Sequence, residues 1–190
     1  MKVYKFGGAS VRDGEGIRNL AGIVSVEKGN LAVVISAFGK TTNSLEEVLK
    51  YWLAGDKVYM RLLEDIHGNH QSVIEDLFTD NDLTAGKIKL SFSILKEYLL
   101  SEKRGKYDFE YDQVVSYGEI WSTIIVAEYL KLNSSEVEWL DIRENLLTDD
   151  RYRDANILWS ESSGRRSNLL LPLTAHSKKQ ADRYLLICQT

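Results

Sequence analysis

The sequence contains a single cysteine, has no surplus of positive charge and lacks a long hydrophobic run. One thiol, Cys188, cannot form an internal disulfide, so the chain is not a disulfide-stabilised domain and suits a reducing compartment. The formal net charge of -4 argues against a dedicated nucleic-acid-binding protein, which would have a basic surplus. The apolar stretch WSTIIVAEYL is interrupted by Glu128 and is too short to cross a bilayer. We therefore expect a cytoplasmic protein that binds neither nucleic acid nor a membrane.

Two segments with β-strand composition are each followed by a polar loop and then by a helical pattern. KVYKF (2–6) is rich in β-branched and aromatic residues and precedes GGAS, whereas LAVVIS (31–36) is a continuous apolar run that precedes AFGKTTN. Apolar residues at helical spacing follow both loops, from Ile17 to Val24 and from Leu45 to Leu53. This alternation predicts an α/β fold with a parallel sheet, in which both loops lie at the carboxyl edge where ligands bind.

The remainder of the chain predicts a helical layer, a third strand and an unusual tail. Apolar stripes across residues 56–132 predict helices that cover the sheet, with 110–133 as one long segment, and VEWLDIR (137–143) has strand composition. From about residue 157 the composition becomes basic and includes the chain's one proline and one cysteine, while YLLIC (184–188) could form a strand. We therefore divide the chain into an N-terminal lobe, 1–156, and an atypical tail, 157–190.

The first loop has the residues of an anion site. Gly7 and Gly8 would allow the backbone to approach a ligand closely and to point N–H groups at phosphate oxygens, helped by the start of the helix that follows. Lys5, on the preceding strand, would supply the positive charge that neutralises a transferring phosphoryl group. The alternative is an ordinary glycine turn beside an exposed lysine, because motifs this short occur often.

The second loop, SAFGKTTN, invites comparison with a P-loop, in which Lys40 rather than Lys5 would bind the nucleotide. A P-loop requires a glycine five positions before Gly39, and Val34 occupies that position. The hydroxyl groups of Ser36 and Thr42 could instead donate hydrogen bonds to a carboxylate or a phosphate. Capping of the next helix by Asn43 or by Ser44 would leave both hydroxyl groups free for that role.

Three further side chains invite a functional interpretation. Glu119, in SYGEIWST, lies among apolar neighbours, where a carboxylate needs a cation or hydrogen-bond donors. It could bind the ammonium group of a ligand, or it could lie on a solvated helix face. His67 and His70 are three residues apart on a predicted helix, but no third ligand accompanies them. We therefore expect a partly exposed helix surface there and no metal site.

Four motifs together, KFGGAS, VVISAFGKTTN, SYGEIWS and DIRENLLTDDRY, resemble the N-terminal part of the kinase domain of aspartate kinases, in the amino-acid-kinase superfamily. They occur in the family's order over residues 2–155, although Ala9 replaces the family's usual threonine. The resemblance implies a three-layer α/β/α sandwich with a mainly parallel sheet. It also implies phosphorylation of the side-chain carboxylate of L-aspartate by ATP with Mg²⁺, which gives an acyl phosphate.

The same resemblance implies a role for each matching residue. Lys5 would be catalytic and would stabilise the transferring phosphoryl group, while Gly7, Gly8 and Ser10 would contact the nucleotide phosphates together with it. Ser36 and Thr42 would hold the aspartate, and Glu119 would bind its ammonium group. No protein nucleophile is needed, because the substrate carboxylate attacks the phosphoryl group; positioning and electrostatic stabilisation supply most of the catalysis.

The family's later GRGGSD-type segment has no counterpart in the sequence. We therefore expect a form truncated before the nucleotide-binding lobe, with little activity alone. A partial sheet would leave an open strand edge, which predicts a homo-oligomer. The alternative function is a non-catalytic amino-acid-binding or oligomerisation module.

Overall fold

The computed structural model describes residues 2–80, 82–101, 105–133 and 137–163, together with the backbone of 184–188. Four strands are present in this part of the chain: β1 (Lys2–Phe6), β2 (Leu31–Ile35), β3 (Val137–Leu140) and β4 (Tyr184–Cys188). The helices are α1 (Gly14–Ser25), α2 (Thr41–Leu53), α3 (Val58–Leu77), α4 (Asp82–Leu100), α5 (Tyr107–Val115), α6 (Tyr117–Asn133) and α7 (Trp159–Ser163). Short 3₁₀ helices span Gly8–Val11 and Ile142–Glu144.

The strands form one parallel sheet in the order β1-β2-β4-β3. Lys5 pairs with Val34 and Phe6 with Ile35, so the first two strands end side by side. The predicted strand YLLIC is confirmed as β4, which inserts between β2 and β3. β3 is shorter than expected because Asp141 accepts a hydrogen bond from the Arg143 N–H and turns the chain into a 3₁₀ helix.

The two faces of β1 have different environments. Tyr4 and Phe6 pack against the hydrophobic core, whereas Val3 and Lys5, on the opposite face of the strand, are exposed. On the core side, α6 packs across the sheet, and Trp139 of β3 donates a hydrogen bond to the Thr123 hydroxyl at 3.0 Å. This bond joins α6 to β3.

Three helix starts differ from the sequence expectation. The chain after Gly7 first makes a 3₁₀ turn, and α1 begins only at Gly14, capped by the Asp13 carboxylate, which accepts from the Gly16 N–H. Helix α2 begins at Thr41 without a side-chain cap, so the expectation that Asn43 or Ser44 caps it is wrong. The segment 110–133 is divided between α5 and α6, which allows the start of α6 to pack against the loop after β2.

His70 is buried, contrary to the expectation of a partly exposed helix surface. It belongs to the buried stripe of α3 with Ile66 and Ile74, and its ring stacks on Phe38 and meets Trp121 edge-on. Its Nδ1 lies 2.8 Å from the Ile66 carbonyl oxygen, while Nε2 has no hydrogen-bond partner in the described structure. Burial lowers the pKa of His70 to about 4, because a charged imidazolium would lose its hydration.

This burial predicts a pH-dependent contribution to stability. Between the ordinary histidine pKa of about 6.5 and a folded-state pKa of about 4, the unfolded chain binds a proton at His70 that the folded chain does not. Stability is therefore lost as the pH falls through this window, by about 3 kcal/mol for a shift of this size. In His70→Phe this part of the loss should disappear, as measured by urea unfolding between pH 7 and pH 4.5. Parallel pH profiles for the two proteins would contradict the assignment.

Candidate functional site

The loops that follow β1 and β2 are in direct contact. The Gly39 N–H donates to the Gly8 carbonyl oxygen at 3.0 Å, and the Ser36 N–H donates to the Phe6 carbonyl oxygen at 3.1 Å. A Cβ atom placed on Gly8 would lie 2.5 Å from the carbonyl oxygen of Ala37. Gly8 therefore permits a backbone approach that any side chain would obstruct. The prediction that both loops meet at one edge of the sheet is confirmed.

The geometry of the second loop differs from that of a P-loop. Val34, where the motif needs its first glycine, lies inside β2 and pairs with Lys5. The Gly39 N–H already bonds to Gly8, and Gly39 has a left-handed φ of 50°, which turns the chain towards α2. The backbone before Lys40 is therefore occupied by strand and inter-loop contacts instead of a phosphate cradle.

The start of α6 completes the site. A Cβ atom on Gly118 would lie 2.9 Å from the Ala37 Cβ and 3.3 Å from the Thr41 Cγ2, so the helix approaches this loop closely. The next residue, Glu119, is half-buried, and the backbone N–H of Ala37 stabilises the charge of its carboxylate. Desolvation raises the pKa of Glu119, although the hydrogen bonds from its own N–H and that of Ala37 oppose this rise.

The other residues predicted to form the site lie on β1, on the segments that follow β1 and β2, and at the start of α2. Lys5 is exposed, and no carboxylate in the described residues forms an ion pair with it. Ser36 is half-buried directly after β2, and Thr42 is half-buried in the first turn of α2. Ser10 is exposed, and its carbonyl oxygen lies against Gly16 of α1 instead of facing the second loop.

The turn after β1 also presents backbone donors. Gly7 is exposed, and nothing lies within 4 Å of the position where its Cβ would be. The N–H groups of Gly8 and Ala9 have no acceptor within the described part of the chain. A ligand at this edge would therefore meet free amides in the turn that follows Lys5 and Phe6, next to the second loop.

Three contributors to the site escape prediction from residue type alone: Ala37, Gly118 and Ser122. Ala37 acts through its backbone N–H, and Gly118 acts by having no side chain. Ser122 is fully buried, with its hydroxyl oxygen 3.0 Å from the carbonyl oxygens of both Ser36 and Glu119. The available signal was the spacing of Gly118, Glu119 and Ser122, which places all three close together on a helix.

The connection after β3 is anchored to the helices that flank the site. Arg153, with a φ of 66°, places its guanidinium 4.4 Å from the centre of the Tyr111 ring and donates to Asp108. Tyr111 in turn donates to Glu46 of α2 at 2.6 Å. Burial, together with this bond, raises the pKa of Tyr111 to about 12. Arg153, the residue directly after the motif TDDRY, is thus linked through Tyr111 to the helix that begins at Thr41.

Comparison with known proteins identifies the class. The profile of the amino acid kinase family matches residues 1–171, and the chain belongs to this family. Two curated relatives are each 28% identical to it over 152 residues. They are a chloroplastic bifunctional aspartokinase/homoserine dehydrogenase of Daucus carota and the lysine-sensitive aspartokinase 3 of Escherichia coli K12. The matches cover 77% and 79% of this chain but 16% and 33% of those proteins. The chain thus spans a third or less of these relatives' length.

Solved aspartokinase structures share the fold over 98% of the chain. Aspartokinase III of E. coli, in complex with aspartate and ADP, has a TM-score of 0.79 at 23% identity, with 40% of that chain covered. The aspartate kinase of Clostridium acetobutylicum has a TM-score of 0.73 at 19% identity, with 38% covered. The predicted α/β, amino-acid-kinase-like fold is therefore confirmed. No described helix of this chain is long and apolar enough to span a membrane.

The contact between the loops predicts different tolerances at two adjacent glycines. In Gly8→Ala the new methyl group would meet the backbone oxygen of Ala37, which cannot rotate away, so we expect a loss of about 1–3 kcal/mol in unfolding free energy. The matched control is Gly7→Ala, because Gly7 has an ordinary φ of -77° and open space around it. We expect a change within about 0.5 kcal/mol there. Equal losses in the two variants, measured by urea unfolding, would refute the close approach.

Proposed function

We propose that this chain forms the amino-acid-binding part of an aspartate kinase, which phosphorylates the side-chain carboxylate of L-aspartate with ATP. The observation that carries the proposal is the half-buried Glu119 carboxylate at the start of α6, where the helix lies against the loop that follows β2 and the Ala37 N–H stabilises the negative charge. Further support comes from a structural relative that was solved with aspartate and ADP.

Glu119 is suited to binding the substrate ammonium group. A partly desolvated carboxylate attracts a cation more strongly than a carboxylate in water does, because the surroundings screen the charge less. The Ala37 N–H favours the charged carboxylate and leaves other lone pairs for the ligand. Hydroxyl groups of Ser36 and Thr42 would donate to the carboxylates of aspartate, which fits an amino acid that carries two acids and one amine.

The turn after β1 is suited to the phosphoryl group. In the proposed reaction, an oxygen of the substrate carboxylate attacks the terminal phosphorus of ATP, and the bond to the leaving ADP oxygen breaks. Lys5 would offset the negative charge of the transferring group, and the amides near Gly7 and Gly8 would donate to its oxygens. Ser10 would lie at the margin of this region, in keeping with its exposure.

ATP would bring Mg²⁺ to such a site, because the ion neutralises the phosphates during transfer. In the described residues, no group of three or more histidine, cysteine, aspartate or glutamate side chains is arranged to hold a metal ion. We therefore assign no Mg²⁺ ligand to these residues, and propose that the ion is bound with the nucleotide.

The remaining proposals concern the organisation of the chain. We propose that residues 1–156 bind the amino acid and that 157–190 form an atypical tail, whose strand β4 is inserted between β2 and β3. β1 is an edge strand of the described sheet, and this supports self-association into a homo-oligomer. The single cysteine supports a reducing compartment such as the cytoplasm.

Calorimetric titration with L-aspartate tests the proposed site. Glu119→Gln removes the charge that would pair with the substrate ammonium group, so we expect affinity to fall about tenfold to a hundredfold. The matched control is Glu128→Gln on the same helix, where the carboxylate bonds to Lys87 and Lys131.

The pH dependence of binding provides a second prediction. Because the pKa of Glu119 is raised, its carboxylate is protonated at a higher pH than an ordinary glutamate. As the pH is lowered, the affinity for aspartate should therefore begin to fall before an ordinary glutamate would titrate. The Gln variant should lack this fall.

Equal affinity in the Glu119→Gln and Glu128→Gln variants would contradict the assignment, as would an absence of aspartate binding by the unaltered chain. Trapping of acyl phosphate as the hydroxamate, with ATP and Mg²⁺ present, separates catalysis from binding. Aspartate binding without hydroxamate above background would favour the non-catalytic amino-acid-binding module for this chain.

A further inference from the structure

We propose that Ser122 is a positioning residue that fixes the orientation of the Ser36–Ala37 peptide group, and through it the Glu119 carboxylate. The inference rests on the proposed function, in which Glu119 binds the substrate ammonium group. Ser122 does not meet the substrate in this account. It acts on the peptide that does touch Glu119.

One peptide group is held from both ends by the same helix. The carbonyl oxygen of Ser36 lies 3.0 Å from the Ser122 hydroxyl. The N–H of Ala37 interacts with the Glu119 carboxylate and stabilises its charge. These two groups belong to a single peptide unit, and the described chain contains no cis peptide bond. In a trans peptide the C=O and N–H point in opposite directions, so Ser122 and Glu119 bind its opposite edges.

The hydrogen bond between Ser122 and Ser36 is shielded from solvent. Its side chain is fully buried, one helical turn after Glu119 on α6. The hydroxyl has one proton and two acceptors, because the Glu119 carbonyl oxygen is also 3.0 Å away. When the hydroxyl donates to the Ser36 carbonyl oxygen, the bond joins α6 to the loop after β2. When it donates to the Glu119 carbonyl oxygen, the bond stays within α6. The Ser36 carbonyl is the first one beyond β2, at the point where the polar loop begins.

Loss of the hydroxyl would therefore affect the electrostatics of Glu119. With Ser36 released, the peptide could rotate and withdraw the Ala37 N–H from the carboxylate. That N–H favours the charged form, so its withdrawal would raise the pKa of Glu119 further. A carboxylate that protonates more readily binds an ammonium group less well at a given pH. A residue that merely fills space would change stability without changing this titration.

The test compares Ser122→Ala with Thr123→Val in the full chain. Thr123 is equally buried on the same helix, but its hydroxyl bonds to helix carbonyls and to Trp139 and does not reach the second loop. We expect Ser122→Ala to weaken L-aspartate binding about threefold to tenfold and to move the pH midpoint of binding upwards. Thr123→Val should change neither quantity, although both variants lose a buried hydrogen bond.

A second variant and a ligand-free measurement complete the design. Ser122→Cys has a side chain of similar size, but its thiol is a weaker hydrogen-bond donor. Its affinity for L-aspartate should therefore lie between those of the unaltered chain and Ser122→Ala. This variant also tests the proposal if Ser122→Ala does not fold. Amide hydrogen exchange at Ala37 should be faster in Ser122→Ala than in Thr123→Val. Unchanged exchange and an unchanged pH midpoint would overturn the role of Ser122. Absence of aspartate binding in the unaltered chain, with faster Ala37 exchange in Ser122→Ala, would overturn only the proposed function.

Discussion

The direct contact between the turn at Gly8 and the loop from Ala37 to Gly39 is the constraint on which the site depends. Parallel strands end at the same edge of a sheet, but adjacent ends alone do not bring two loops into backbone contact. Here the contact exists because Gly8 has no Cβ and because Gly39 donates directly to its carbonyl oxygen. It places the free amides of the turn after β1 next to the loop that follows β2, and free backbone amides are suited to an anionic ligand.

A second constraint is the close approach of α6 to the same loop. The missing side chain of Gly118 allows the helix to reach Ala37, and this places Glu119 where burial and backbone donors act on it together. Behind the loop, the buried His70 stacks on Phe38 and meets Trp121, so the rear of the site is held by aromatic packing. The polar loop therefore rests on the aromatic packing of His70, Phe38 and Trp121. The unpaired Nε2 of His70 within this packing costs stability.

Much of this arrangement follows from sequence patterns, and the exceptions have physical reasons. KVYKF and LAVVIS specify strands because their composition suits a buried sheet, and their parallel pairing places the polar loops after them at the same edge. The burial of His70 does not follow from residue type, because histidine is common on surfaces. Its spacing of four residues from both Ile66 and Ile74 was the signal that places it on the apolar stripe of α3. The bonds made by the Ser36–Ala37 peptide are invisible in the sequence, since every residue except proline has the same backbone groups. The division between α5 and α6 depends on tertiary packing, which periodicity within one segment does not contain.

We propose that L-aspartate binds where β1, β2 and the start of α6 meet. The most direct test is an NMR titration that follows backbone amide shifts as L-aspartate is added. The amides of Gly8, Ala37 and Glu119 should shift together with one shared affinity. Shifts confined to the open groove lined by Lys106, Phe109 and Tyr152, with these three amides unchanged, would contradict it.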